Sequence, residues 1–169
     1  MALARYTGFD LDSLSKYTTQ PYYFNRGASG NIYGPIPWQD KQLLAIKEVK
    51  FAEDKVTDRL QKEIKVKRDI LASIEHKHLI RIHSFDISQL PRVMFIVMEF
   101  AAGGSLRKTL SSLGSENRLP INVVTDWSKQ IAEGMLYLHE KNIVHRDLKS
   151  SNSECFQLLF FNQVIKIYY

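Results

Sequence analysis

Only one cysteine, Cys155, occurs in 169 residues. No disulfide can form within the chain, so packing alone must hold the fold, and such cysteine usage fits a reducing compartment. Long apolar runs are missing too. The longest, Val93 to Met98, is closed by Glu99, far short of the roughly 20 residues that cross a bilayer. Met1-Ala2-Leu3-Ala4-Arg5-Tyr6 lacks the continuous apolar segment of a signal peptide. Nor is charge of one sign concentrated. The net charge is +5, from 23 Lys and Arg against 18 Asp and Glu, but the bases are mixed with acids along the chain. That pattern is a solvated surface rather than a nucleic-acid face. These absences lead us to expect a soluble, cytoplasmic protein with no membrane and no nucleic acid among its partners. With 44% hydrophobic and 24% charged residues, the chain has the composition and length for one globular domain.

What is present is concentrated in a few stretches. Ile143-Val144-His145-Arg146-Asp147-Leu148-Lys149-Ser150-Ser151-Asn152 sets five different polar chemistries within eight residues, behind an apolar lead-in. The alternative to chemistry there is a plain polar turn between a helix and a strand. Upstream, Tyr22 to Tyr33 places Gly27 and Gly30 between aromatic and apolar residues. This reads as two strands joined by a glycine turn, and small residues there would also let backbone N–H groups reach phosphate oxygens. Pro35 and Pro37 lack ladder donors, so the second strand must be short, bulged or shifted. Leu43 to Val49 is an apolar strand carrying Lys47 at the end of its run; such a lysine either reaches water or holds an anion.

Val56, Leu60, Ile64, Leu71 and Ile74 recur near a 3.6-residue period and predict a helix. Leu79 to Ile82 and Val93 to Met98 read as an antiparallel pair, and Gly103-Gly104 follows as a flexible joint. Val124, Trp127, Ile131, Met135 and Leu138 form the core stripe of a long helix ending at Glu140 to Asn142. That helix delivers the chain into the polar segment.

In this order the segments resemble the eukaryotic protein kinases of serine/threonine type. His145 to Asn152 is similar to H-R-D-L-x-x-x-N, Leu44 to Lys47 to V-A-I-K, and Asn25 to Ile32 to G-x-G-x-x-G-x-V with Asn25 at the first glycine. Val97 to Ala101 and Trp127 to Met135 look most like mixed-lineage kinases, among the kinases upstream of MAP kinase cascades. The resemblance implies an α+β kinase-like fold: an N-lobe antiparallel sheet with a C-helix, followed by the start of a helical C-lobe. It implies a leader over 1–21, an N-lobe over 22–98, a hinge over 99–106 and a partial C-lobe over 107–169. It further implies ATP and Mg2+ as cofactors and a protein substrate. ATP would meet Gly27, Gly30, Ile32, Ala45, Lys47 and the backbone of Glu99 and Ala101, with Met98 as gatekeeper. Asp147 would accept the hydroxyl proton, Lys149 would steady the moving phosphoryl group, and Asn152 would hold the metal.

Departures from the family pattern are also visible. Counting back from His76-Lys77-His78-Leu79-Ile80 places Lys67 where the C-helix should offer Lys47 a glutamate. Glu63, one turn earlier on the same face, is the candidate substitute. After Asn152 an apolar strand should follow at once as the adenine floor. Ser153-Glu154-Cys155 stands there instead, so the next hairpin is expected a few residues late, over Phe156 to Phe161 and Val164 to Ile167. Tyr169 falls where D-F-G should begin, and neither D-F-G nor A-P-E occurs in the sequence. The reading is therefore of a C-terminally truncated kinase domain with weak or no phosphotransfer of its own, and the alternative is an inactive module binding a nucleotide or a partner.

Overall fold

In a computed structural model of the chain, residues 23–27, 30–38, 42–50, 73–88, 93–113, 118–155 and 164–167 are described. They fall into two compact units, one reaching to Ile74 and resuming over Arg81–Phe100, the other comprising Glu75–Ile80 and the chain from Ala101 onward. The helix expected over Val56 to Ile74, including Glu63 and Lys67, lies outside the described residues apart from its last two positions, as does the leader.

The first unit is an antiparallel sheet of β1 (Tyr23–Gly27), β2 (Gly30–Pro37), β3 (Leu43–Lys50), β4 (Ile82–Ser88) and β5 (Val93–Glu99), in the order β1-β2-β3-β5-β4. The two prolines have the effect their missing donors demand. The β2–β3 register shifts between Tyr33 and Ile36, after which Ile36 pairs with Leu44 and Pro37 with Leu43. Period-2 alternation then divides the side chains between the faces. Tyr33, Ile36, Leu44, Ile46 and Val97 pack into one buried cluster, with Trp38 and Phe95 against it. At its margin the Tyr33 hydroxyl donates to Glu48 Oε2 at 2.6 Å, and Asn31 Nδ2 donates to the same oxygen at 3.0 Å.

The second unit is built on two helices and a small sheet. Helix α1 (Leu106–Ser112) is capped by Ser105, whose hydroxyl accepts from the Lys108 N–H at 3.3 Å. Helix α2 spans Ile121–Glu140. Strands β6 (Gly104–Ser105), β7 (Ser153–Cys155) and β8 (Ile165–Ile167) pair antiparallel in that order. Leu106, Val123, Trp127, Cys155 and Ile165 form the core between helices and sheet, with Leu119 and Ile131 at its edge. Cys155 is fully buried beside Thr109, its sulfur 3.5 Å from the hydroxyl. Burial raises its thiol pKa, the Thr109 hydrogen bond opposing and the Glu154 charge adding to the rise. No helix among the described residues is long and apolar enough to cross a membrane.

Three expectations need correction. The strand over Leu79 to Ile82 starts only at Ile82, because Leu79 and Ile80 join the other unit. Leu79 bridges Ile167 in parallel, and the Ile80 N–H donates to the Ile167 carbonyl at 2.9 Å. Both residues are buried, which a strand with one solvated face would not achieve at consecutive positions. The core stripe of α2 runs through Val123, Trp127, Gly134 and Leu138, whereas Val124 is 41% exposed. Spacings of four, seven and four residues keep that set on one face, and Val124 sits 100° around it. Finally, the hairpin expected a few residues late begins immediately after Asn152, while Phe156 to Phe161 lie outside the described residues. Ser153 and Cys155 point inward and Glu154 alone faces the other way, so one acidic residue does not break the strand.

Gly134 has a packing reason. A Cβ there would lie 2.9 Å from the His78 carbonyl oxygen and 3.3 Å from methyl carbons of Leu79 and Ile167. Around it, His78 is buried with Nδ1 3.1 Å from the Ile165 carbonyl and Nε2 3.4 Å from Glu133. Lys77 pairs with Glu133 at 2.8 Å, and His76 stacks on Tyr137. The Lys77 hydrogen bond holds the Glu133 carboxyl below its ordinary range.

Two outcomes follow for stability. Gly134→Ala adds about 1 kcal/mol of helix propensity, but the approach to a backbone oxygen outweighs it; thermal unfolding should show a lower Tm, by a net of about 1–2 kcal/mol. Glu154 is half-buried, and burial pushes its carboxyl up to about 7 from an ordinary 4.5. A raised carboxyl favours folding fully below its unfolded value, and that contribution is lost as pH rises through the folded one. Relative to Glu154→Gln, the parent should therefore lose on the order of 2 kcal/mol between pH 4 and pH 8 after allowance for solvent screening, measurable by denaturant titration across that range.

Candidate active site

The polar segment gets its shape from the way α2 ends. Asn142 takes a left-handed backbone (φ 58), its N–H donates to the His139 carbonyl at 2.9 Å, and the Ile143 N–H donates to Leu138 at 2.9 Å. This is a Schellman termination with asparagine in the usual glycine position. It turns the chain back beneath the helix. Arg146 is also left-handed (φ 64), a conformation that costs a non-glycine residue about 1 kcal/mol. That turn brings the Asp147 N–H within 2.9 Å of the His145 carbonyl and 3.2 Å of His145 Nδ1. Because Nδ1 accepts, the ring hydrogen belongs on Nε2, which is buried without a hydrogen-bond partner among the described residues.

Two candidate residues, Lys149 and Asn152, meet at a third, Asp147. Lys149 Nζ donates to its two carboxylate oxygens at 2.8 and 2.7 Å. Asn152 Nδ2 donates to Oδ2 at 2.8 Å and to the Asp147 carbonyl at 2.9 Å. Asp147 itself is exposed. The Lys149 hydrogen bond, then that of Asn152, hold its carboxyl below the usual aspartate value, with burial opposing. The group is an ionised acceptor at neutral pH, oriented by one cation and one amide. A short 3-10 turn (Ser150–Asn152) supplies the spacing: the Asn152 N–H donates to the Lys149 carbonyl at 2.9 Å, so both donors face back toward Asp147.

The other candidates, Ala101 apart, lie in the first unit. Ile32 is the register partner of Lys47, and Ala45 of Met98, so alternation puts these four on one sheet face, opposite the Tyr33 cluster. Gly27 pairs with Gly30 at the end of the first hairpin. Gly30 has φ 138, and a Cβ there would run into the Glu48 carbonyl. Strand contact alone thus requires glycine at 30, whatever else the loop binds. The Glu99 N–H donates to the Arg81 carbonyl at 3.0 Å. In the second unit the Ala101 carbonyl accepts from the Gly104 N–H at 3.1 Å. Glu63, the candidate partner of Lys47, lies outside the described residues.

Among the described residues no three His, Cys, Asp or Glu side chains gather to hold a metal ion. Asn152 commits its amide nitrogen to Asp147, which leaves its oxygen as the donor a hard cation takes. This fits Mg2+ held largely by phosphate oxygens and water, the usual habit of that ion. Two side chains around the candidate set are not singled out by sequence. His145 is visible as part of the motif but not as the group that holds the Asp147 N–H. Ser153 carries no signal beyond being small where an apolar residue is expected.

A five-stranded antiparallel sheet bearing a lysine on one face, followed by a helical unit with an Asp-Lys-Asn loop, defines the class. A match to the protein kinase domain covers residues 24–167, and the chain belongs to the protein kinase family. Its relatives include the cytokinesis protein sepH of Aspergillus terreus, 30% identical over 127 residues, or 75% of this chain and 9% of that protein. MAP kinase kinase kinase SSK2 of Saccharomyces cerevisiae is 31% identical over 144 residues, 85% of this chain and 8% of the relative. The serine/threonine-protein kinase SSK22 of the same yeast is 28% identical over 157 residues, 92% and 11% respectively. The second of these is by name a MAP kinase kinase kinase, the kind of kinase that the sequence resembles. The chain spans about a tenth of the length of these proteins.

The electrostatics of the loop can be checked directly. Carbon-detected NMR titration of the carboxylates should find Asp147 below an ordinary aspartate. Lys149→Met should raise its midpoint most and Asn152→Ala less, in the order of their hydrogen bonds.

Proposed function

We propose that the chain is the ATP-binding and catalytic-loop portion of a cytoplasmic protein serine/threonine kinase in signal transduction. One observation carries this reading: Lys149 and Asn152 converge on the Asp147 carboxylate, leaving an exposed, ionised and oriented acceptor. A substrate hydroxyl that donates to this carboxylate is aligned for attack, and its proton has a destination as the bond to phosphorus forms. Lys149, already 2.7 Å from the carboxylate, can shift its ammonium toward the charge on the transferring phosphoryl group. On β3, Lys47 is assigned to the α- and β-phosphates, and Ile32, Ala45 and Met98 to the adenine. Glu63 remains the proposed partner of Lys47. Mg2+, when bound, supplies charge neutralisation at the phosphate oxygens, with Asn152 as its ligand here. Reactions of this kind depend on positioning and charge stabilisation far more than on covalent chemistry.

A second reading, a nucleotide- or partner-binding module without turnover, draws on Glu154. A half-buried carboxyl pushed up to about 7 occupies the strand position assigned to the adenine floor, and no D-F-G occurs among the 169 residues. We therefore expect this chain alone to bind Mg2+-ATP while transferring phosphate weakly. Thermal unfolding with and without Mg2+-ATP should show a rise in Tm, equivalent to about 2.7 kcal/mol when ATP is a hundredfold above its Kd, and Lys47→Met should abolish it. Absence of any shift would sink the nucleotide reading. Strong Mg2+-dependent autophosphorylation, lost in Asp147→Asn, would instead overturn the expectation of weak transfer.

A further inference from the structure

We infer that Ser153 is a positioning residue for the Asp147, Lys149 and Asn152 set, acting through the Lys149 main-chain carbonyl. The inference rests on reading that set as the catalytic loop. The turn from Ser150 to Asn152 is only three residues long and has no side-chain cap at its start. A backbone bond closes it at its start, from the Asn152 N–H to the Lys149 carbonyl at 2.9 Å. Ser153 adds a second: its hydroxyl donates to the same carbonyl at 3.2 Å. Ser153 is 2% exposed, so its hydroxyl has little access to water, and its backbone is anchored in β7 opposite Ile167.

The carbonyl so held belongs to the residue whose ammonium lies 2.7 Å from Asp147, and the turn it closes ends at the residue whose amide lies 2.8 Å from the same carboxylate. One buried hydroxyl therefore ties the strand to both donors at once. An alanine at 153 would keep the small size of the buried side chain. It would remove one of the bonds held by the Lys149 carbonyl, and the donors would share their time between Asp147 and water. Small size alone does not explain serine here. Cys155, two residues on and facing the same core, is also small but bonds toward Thr109 rather than toward the loop.

The test is NMR on the intact 169-residue chain, which needs no catalysis to be read. In Ser153→Ala the two Asn152 side-chain amide protons should collapse toward the shifts of a free asparagine. The Asn152 backbone amide should exchange roughly five- to tenfold faster, about the worth of one hydrogen bond. Amides of β8 should keep their protection. Ser153→Cys preserves size and should behave like alanine, and it serves in its place if alanine does not fold. Ser153→Thr restores the hydroxyl and should restore the parent spectrum. Cys155→Ala should lower Tm without moving Asn152. Unchanged Asn152 signals in both the Ala and Cys variants, or a uniform loss of protection across α2, β7 and β8, would overturn the inference. A parent spectrum in which the Asn152 amide already resembles free asparagine would instead overturn the loop geometry, and with it the functional reading.

Discussion

The second unit depends on a short stretch of parallel pairing between segment 78–80 and Ile167. The Ile167 N–H donates to the His78 carbonyl at 3.0 Å, and the Ile80 N–H returns to the Ile167 carbonyl at 2.9 Å. Residues far apart in sequence are thereby fixed side by side, which costs loop-closure entropy that only buried contacts can offset. Leu79 and Ile167 supply such burial, both nearly or wholly removed from water. Gly134 lets the α2 backbone come close enough to complete it. With β8 held in place, β7 has an edge to pair with, and the polar loop between α2 and β7 is tethered at both ends.

That tether gives an exposed loop a fixed point at each end. Asp147 has little burial to hold it. Its position comes instead from hydrogen bonds on every side: His145 at its N–H, Lys149 and Asn152 at its carboxylate, Asn152 again at its carbonyl. Loops that carry chemistry are commonly mounted on rigid elements in this way. Here the rigid elements are a twenty-residue helix with a definite stop and a three-residue strand paired on both edges.

Much of the fold could be read from the sequence because period and turn chemistry are local. The strands around Gly27 and Gly30, the bulge forced by Pro35, the apolar run ending at Lys47 and the length of α2 all follow from neighbours in sequence. The errors came where distant segments decide the outcome. Nothing local says that Leu79 and Ile80 leave their strand for Ile167, or that α2 turns Val123 rather than Val124 inward so that Gly134 can meet His78. Glu154 misled in another way. Its charge suggested a broken strand, but pairing needs only backbone groups, and Ser153 and Cys155 satisfy the buried face. At the site, residue identities were readable from a motif, whereas the role of Ser153 depends on a hydrogen bond that no spacing announces.

Cys155 has one further consequence. It is the only thiol in the sequence and is wholly enclosed in the core of the second unit. Alkylation proceeds through the thiolate of an accessible sulfur, so a reagent can reach it only when β7 separates from its neighbours. The chain thus carries a built-in kinetic reporter, whose labelling rate counts openings of the strand that follows the polar loop.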